Sequence, residues 1–199
     1  TLATAAIGVT IDNAIFASGN IAVNGVTSGS GVAGISYSVG ITSTAGNVTF
    51  NGGATDGLGV YNLTASTITA NNITINGTTS LAPNWATYIG TLTLNTAATG
   101  GNIAVTGNVN NLPGAAGGIY QTGTITARSG SNISFTSNNN IDQGGALTLA
   151  ANTSGAAANI TFDTTTGNLN STISTGNLTI AASTSSFAIN FIAKSAGAN

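Results

Sequence analysis

Side chains that could do chemistry are few, and their scarcity is the first constraint. The 199-residue chain carries four carboxylates, Asp12, Asp56, Asp142 and Asp163, and two cations, Arg128 and Lys194. It has no Glu, His, Cys or Met. Glycoside hydrolysis asks for two carboxyl groups facing each other across the scissile bond. Asp142 and Asp163 fall in adjacent sequence repeats and are the candidate pair. Neither has an Arg, Lys or His beside it, whereas lyase chemistry needs cations or a metal to stabilise a developing anion. Single aspartates that form turns or solvate loops are the simpler reading. No catalytic residue is expected, and the chain is read as a non-enzyme.

The same scarcity excludes other classes. Without His or Cys there is no ordinary zinc, copper, haem or iron–sulfur ligand set. The segment GGATDGLG (52–59) superficially resembles the calcium-binding nonapeptides of one solenoid class. Asp56 alone gives too few oxygen ligands, however, and the nine-residue period is absent. No metal or cofactor is expected. Two cations cannot neutralise a run of phosphates, so nucleic acid and anionic lipid are not expected partners. No apolar run approaches the roughly 18 residues of a membrane helix, and membrane insertion is not expected. Without cysteine there is no disulfide, and redox compartment stays open. No signal peptide opens the chain, and Thr1 stands in mid-pattern, so the sequence reads as a processed chain or a segment of something longer.

What remains is the scaffold. Only 3% of residues are charged, against about 25% in an ordinary soluble domain. Helix formers are nearly missing and β-branched residues abound. At 41% hydrophobic the chain also departs from the composition of disorder. One word recurs: Asn, a branched apolar residue, a small or polar residue, a second apolar residue. It is anchored at Asn20, Asn47, Asn72, Asn102, Asn132, Asn159 and Asn177, with steps of 27, 25, 30, 30, 27 and 18 residues. The four tyrosines, Tyr37, Tyr61, Tyr88 and Tyr120, each precede an anchor by 10 to 14 residues. Between them stand Thr-flanked apolar triplets such as Leu92-Thr93-Leu94 and Ile125-Thr126-Ala127.

One unit therefore reads as an aromatic strand, a Thr-flanked strand, a turn, an Asn-anchored strand and a loop. Strands of three to five residues are too short to stand alone and need copies stacked above and below. The expectation is an all-β chain, a parallel β-helix (β-solenoid) of about seven turns and roughly 34 Å. It forms one domain over 1–199, with core repeats at about 19–181 and irregular ends. AIF (14–16) and SFAINF (186–191) are candidate strands at those ends. Uncapped solenoid ends tend to add strands, so the partner expected first is the chain itself, end to end or laterally in a filament.

The segments GGIYQTGTITARSGSNISFTSNNNIDQGGALTLAAN (117–152) and GTLTLNTAATGGNIAV (90–105) resemble the repeat regions of filamentous-haemagglutinin-like adhesins, the large exoproteins of two-partner secretion. The likeness covers roughly residues 19–181. It implies a right-handed β-helix at the bacterial cell surface, with roles in adhesion, biofilm or surface filaments. The family's secretion domain is not evident, so the likeness implies a shaft and not a functional head.

Four surface readings stay in view. N-x-[ST] occurs at Asn47, Asn62, Asn72, Asn76, Asn132, Asn152, Asn159, Asn170 and Asn177. At the anchor positions stacked Asn side chains are expected to form a ladder. Asn62, Asn76, Asn152 and Asn170 are placed in loops open to glycosylation. Thr-x-Thr at 42–44, 67–69, 91–93, 122–124 and 124–126 could bind ice if flat and regular, but loop lengths vary and the motifs are assigned to different parts of the unit. The tyrosine column could stack on sugars if outward, yet its Gly, Ala, Ile and Val flanks favour the core. Trp85, in LAPNWATY, is the candidate surface contact for a glycan or other partner.

The function expected is an extracellular structural or adhesive shaft of a bacterial surface filament, with cell-surface or matrix glycans as candidate partners. The alternative is an ice- or glycan-binding solenoid, and the least favoured reading is a polysaccharide-degrading β-helix.

Overall fold

A computed structural model describes residues 7–62, 64, 66–80, 85–94, 101–110, 117–128, 131–150, 158–164, 173–175, 178–180 and 189–195. Every helix or strand among them is a strand, and every pairing is parallel. The strands, numbered in chain order, come in triplets that feed three sheets of seven strands each.

The first sheet holds β1 (Val9–Ile11), β4 (Ile35–Tyr37), β7 (Val60–Asn62), β10 (Thr87–Ile89), β13 (Gly117–Gln121), β16 (Asn140–Gln143) and β19 (Ile173–Thr175). The second holds β2 (Ile15–Ala17), β5 (Ile41–Ser43), β8 (Thr67–Ala70), β11 (Thr91–Leu94), β14 (Ile125–Arg128), β17 (Leu147–Ala150) and β20 (Leu178–Ile180). The third holds β3 (Ile21–Ser30), β6 (Val48–Asp56), β9 (Ile73–Thr79), β12 (Gly101–Val109), β15 (Ser131–Ser137), β18 (Ala158–Thr164) and β21 (Ile189–Ser195). The chain is a parallel β-solenoid: each coil contributes one strand per sheet, and each strand finds its backbone partners in the coils on either side.

Alternation decides what faces in. In β9 the pattern is strict, with Ile73, Ile75, Gly77 and Thr79 buried and the residues between them partly exposed. Register then stacks like on like. Val48, Ile73, Ile103, Ile133 and Ile160 form one inner column, and Phe50, Ile75, Val105, Phe135 and Phe162 the next. Phe135 and Phe162 stack at 5.0 Å and 4°. Burying each such side chain is worth about 1.5–3 kcal/mol. Isolated three-residue strands could not be held together without this repeated gain.

The third sheet departs from the expected strand length. Its strands run seven to ten residues, passing straight through Asn24-Gly25, Asn51-Gly52 and Asn76-Gly77. Asn-Gly commonly marks a turn, but here the glycines stack mid-strand as Gly25, Gly52, Gly77 and Gly107. A Cβ on any of them would collide with a backbone carbonyl at or just before the next first-sheet strand, namely that of Gly34, Gly59, Ala86 or Gly118. The residues are glycine because two backbones meet there. At the same level Ser137 replaces glycine and donates its hydroxyl to the Gly107 carbonyl at 2.8 Å.

The corner after the first sheet is closed by buried amides. Gln143 Nε2 donates to Gln121 Oε1 at 2.8 Å, Gln121 Nε2 to the Gly90 carbonyl at 3.0 Å, and each also reaches a carbonyl of its own turn, Gly145 and Gly123. Buried turn carbonyls would otherwise lack donors. Of the two candidate end strands, AIF overlaps β2 and SFAINF overlaps β21, both in register with their sheets.

Candidate functional site

Each sheet turns a different side-chain chemistry outward. The third sheet presents asparagine. The Asn47 N–H donates to Asn20 Oδ1 at 2.9 Å, Asn72 Nδ2 to Asn47 Oδ1 at 2.7 Å, and the Asn102 N–H to Asn72 Oδ1 at 2.8 Å. Asn132 Nδ2 then donates to Asn102 Oδ1 at 3.0 Å and Asn159 Nδ2 to Asn132 Oδ1 at 2.8 Å. The next position in register is Asn190, 31 residues beyond Asn159. Asn177 lies outside the described residues. The strand that follows it, β20, pairs with β17 in the second sheet, so the GNLTI word there does not continue the anchor column. The 18-residue step in the sequence came from matching a word in the wrong sheet.

A second asparagine ladder escaped the sequence reading. Asn51 Nδ2 donates to Asn24 Oδ1 and Asn76 Nδ2 to Asn51 Oδ1, both at 2.8 Å. Asn76 is thus a strand residue, not a loop residue. Its column continues in register through Thr106, Thr136, Asp163 and Lys194. It ends in an ion pair of 3.9 Å between Lys194 Nζ and Asp163 Oδ2. Asn62 is not a surface loop residue either. It is buried, with Nδ2 on the Ser66 carbonyl and Oδ1 accepting from the Thr64 and Ser66 N–H groups. Asn152 and Asn170 lie outside the described residues.

The second sheet presents threonine. Thr42, Thr69, Thr93, Thr126, Thr148 and Thr179 occupy one column in register, with Phe16 at its head. Thr67 pairs with Thr91 two residues earlier on the same face. The motifs at 67–69, 91–93 and 124–126 therefore overlie one another, which corrects their assignment to different parts of the unit. Thr44 and Thr122 fall outside the strands.

The first sheet presents aromatics, and it divides the four tyrosines. Tyr61, Tyr88 and Tyr120 are in register and partly exposed, with ring centroids 5.3 Å and 5.0 Å apart. Tyr37 is one position out of phase: it pairs with Asn62, points inward and packs edge-on against Phe50 at 5.5 Å. The core placement expected for the column holds for Tyr37 alone. Its buried hydroxyl makes no hydrogen bond of good geometry, although the Asn62 side chain and the Gly90 backbone lie near it. Burial pushes the phenol well above its ordinary value of 10.0, and those two neighbours pull weakly the other way.

Trp85 stands beside the outward row, three residues before Tyr88 in the same coil. Its indole lies 5.1 Å from the Tyr120 ring at 32°. It rests over Gly117, where a Cβ would overlap the six-membered ring of the indole. Asp142 follows Tyr120 in register on the same outer face. Asp163 stands on the third sheet, so the structure does not bring the two carboxylates together as a glycosidase dyad. Asp56 accepts a hydrogen bond from Ser30, and Asp12 is exposed between β1 and β2. No group of three or more metal-ligating side chains occurs among the described residues. Comparison with protein-family models, curated proteins and solved structures finds no match to the chain.

Proposed function

We propose that the chain is a length of structural shaft in an extracellular bacterial filament or adhesin. The observation that carries this reading is the graded burial of the core columns. In the second and third coils Ile35, Ile41, Val48, Phe50, Val60 and Ile68 are fully buried. In the first coil Ile11 and Ile21 keep some exposure, and Val9, Ile15, Ala17 and Val23 are only partly covered. Among the described residues no strand pairs with the free edges of β1, β2 and β3. A further coil, from a longer chain or a second copy, would complete those columns and the backbone ladder together. The repeat's resemblance to filamentous-haemagglutinin-like shafts points the same way. The near absence of charge lets such rods lie side by side without repulsion.

Negative-stain imaging of the native material tests the proposal. Long unbranched fibres of uniform width support it, and isolated short particles at all concentrations count against it.

The threonine columns favour a second reading, ice binding. Thr69, Thr93 and Thr126 stack in register with Thr67 and Thr91 beside them, giving a regular hydroxyl and methyl array on a parallel sheet. Thermal hysteresis that disappears in a Thr93→Lys variant supports this reading, and its absence in the wild type removes it.

A further inference from the structure

The aromatic row on the first sheet lies outside the apolar core of the solenoid. Tyr61, Tyr88 and Tyr120 point away from the core and are partly exposed. A ladder needed only for stacking could be built of Thr, as on the second sheet, or Asn, as on the third. Here three rings form one row, one per coil, with steps of 5.3 and 5.0 Å, and the indole of Trp85, from the same coil as Tyr88, lies against the Tyr120 ring at 5.1 Å. Neighbouring planes cross at 76° between Tyr61 and Tyr88, 50° between Tyr88 and Tyr120 and 32° between Trp85 and Tyr120, so the rings do not lie flat on one another. The row therefore offers both ring surface and hydroxyl edges. Gly117 leaves the space in which the indole sits, so Trp85 is held in position and not merely exposed.

We propose that this row binds a neutral polysaccharide chain laid along the solenoid axis. The ligand class follows from the chemistry. Aromatic rings take the apolar C–H faces of sugar rings, phenolic O–H groups meet sugar hydroxyls, and the amphipathic ring serves both at once. The step between rings, set by the coil rise of about 4.8 Å, is close to the length of one pyranose unit in an extended chain. One coil thus addresses one sugar. Charge selects against acidic ligands: the strands of the first sheet hold no Lys or Arg, and Asp142 continues the row beyond Tyr120. That carboxylate can accept hydrogen bonds from sugar hydroxyls and would repel a sulfated or uronic polymer. A proline-rich peptide also stacks on aromatics, but it rises about 3.1 Å per residue with three residues per turn. Its like faces recur about every 9 Å and skip alternate rings.

Trp85 is the single tryptophan of the chain, so its emission reports on this row directly. The experiment titrates the protein with cellohexaose, dextran sulfate and decaproline while following Trp85 fluorescence. The expected result is a saturable change with cellohexaose alone. Binding weakens about tenfold in Tyr88→Ala and within a few-fold in Tyr88→Phe, which keeps the ring. Far-UV circular dichroism confirms the fold of each variant. Asp142→Asn, which preserves shape, is the second test and is expected to admit dextran sulfate more readily. The proposal is overturned by no saturable response to millimolar cellohexaose, by a response that Tyr88→Ala leaves unchanged, or by tighter binding of decaproline or dextran sulfate.

Discussion

Replacing Gly77 by Ala adds one methyl group to a chain that is already rich in alanine, yet it should be among the most damaging small changes available. The added Cβ would lie closer than 3.0 Å to both the Ala86 carbonyl oxygen and Thr87 Oγ1. Neither can swing aside. Ala86 O is backbone and accepts the Val60 N–H at 3.1 Å, while Thr87 Oγ1 donates to the Thr106 carbonyl at 2.8 Å. Relief requires prising the third-sheet strand from the start of the first-sheet strand. Overpacking of this kind typically costs 1–3 kcal/mol, and a clash against fixed backbone belongs at the upper end, about 3 kcal/mol. Gly53 is the matched control. It lies in the same sheet but faces outward, and its Cβ would meet nothing nearer than Thr78 Oγ1 at 3.2 Å. Gly53→Ala should be neutral or stabilise by up to about 1 kcal/mol through reduced freedom of the unfolded chain. Solenoids unfold coil by coil, so one global midpoint can conceal a local loss. Hydrogen exchange of the amides in β9 and β10 is the sharper assay. Protection there should fall by about two orders of magnitude in Gly77→Ala and persist in Gly53→Ala. Equal effects of the two substitutions, in either direction, refute the close-approach argument.

Phe135→Ala should cost about 3–5 kcal/mol in urea denaturation, because Phe135 is fully buried and stacked on Phe162, whereas Phe16→Ala, 76% exposed, should stay within about 0.5 kcal/mol. Gln121→Ala should lose about 3 kcal/mol by removing the side-chain donor to the buried Gly90 carbonyl and one acceptor of Gln143 Nε2, with reduced protection of the amides in β13 and β16 as the check. Tyr37→Phe should match the wild type within about 1 kcal/mol at pH 7, since the hydroxyl it removes lacks a well-formed hydrogen bond. The folded phenol of Tyr37 titrates above its unfolded value, so its contribution is complete below pH 10.0 and is lost as pH rises beyond it. Denaturation curves should therefore show a steeper alkaline decline in the wild type than in Tyr37→Phe.

The solenoid was legible because the signal it rests on is local and repeated. Asn before a branched apolar residue, at steps near 27 residues, marks a position that register later stacks rung on rung. What misled was also local. Asn-Gly reads as a turn in isolation, and only the opposing backbone of the next strand explains glycine in the middle of β9. The GNLTI word at 176–180 is the same word in another sheet, and sequence cannot separate the two until the strands on either side are paired. The tyrosines illustrate a missed parity. Tyr61 directly follows the inward Val60 and so points out, whereas Tyr37 stands two residues after the inward Ile35 and so points in. That distinction was present in the letters VYN and ISY. The row formed by Trp85 over Gly117 was not, because it depends on where one coil lies upon the next.

The central claim is that every coil templates its neighbour through parallel, in-register strands, and that this stacking extends into a rod. Fibre diffraction from aligned native material tests it most directly. The account predicts a strong reflection near 4.8 Å along the fibre axis, since the strands lie across the axis and the coils repeat along it. A 4.8 Å reflection perpendicular to the axis, or material that yields only discrete short particles and no axial repeat, would contradict it.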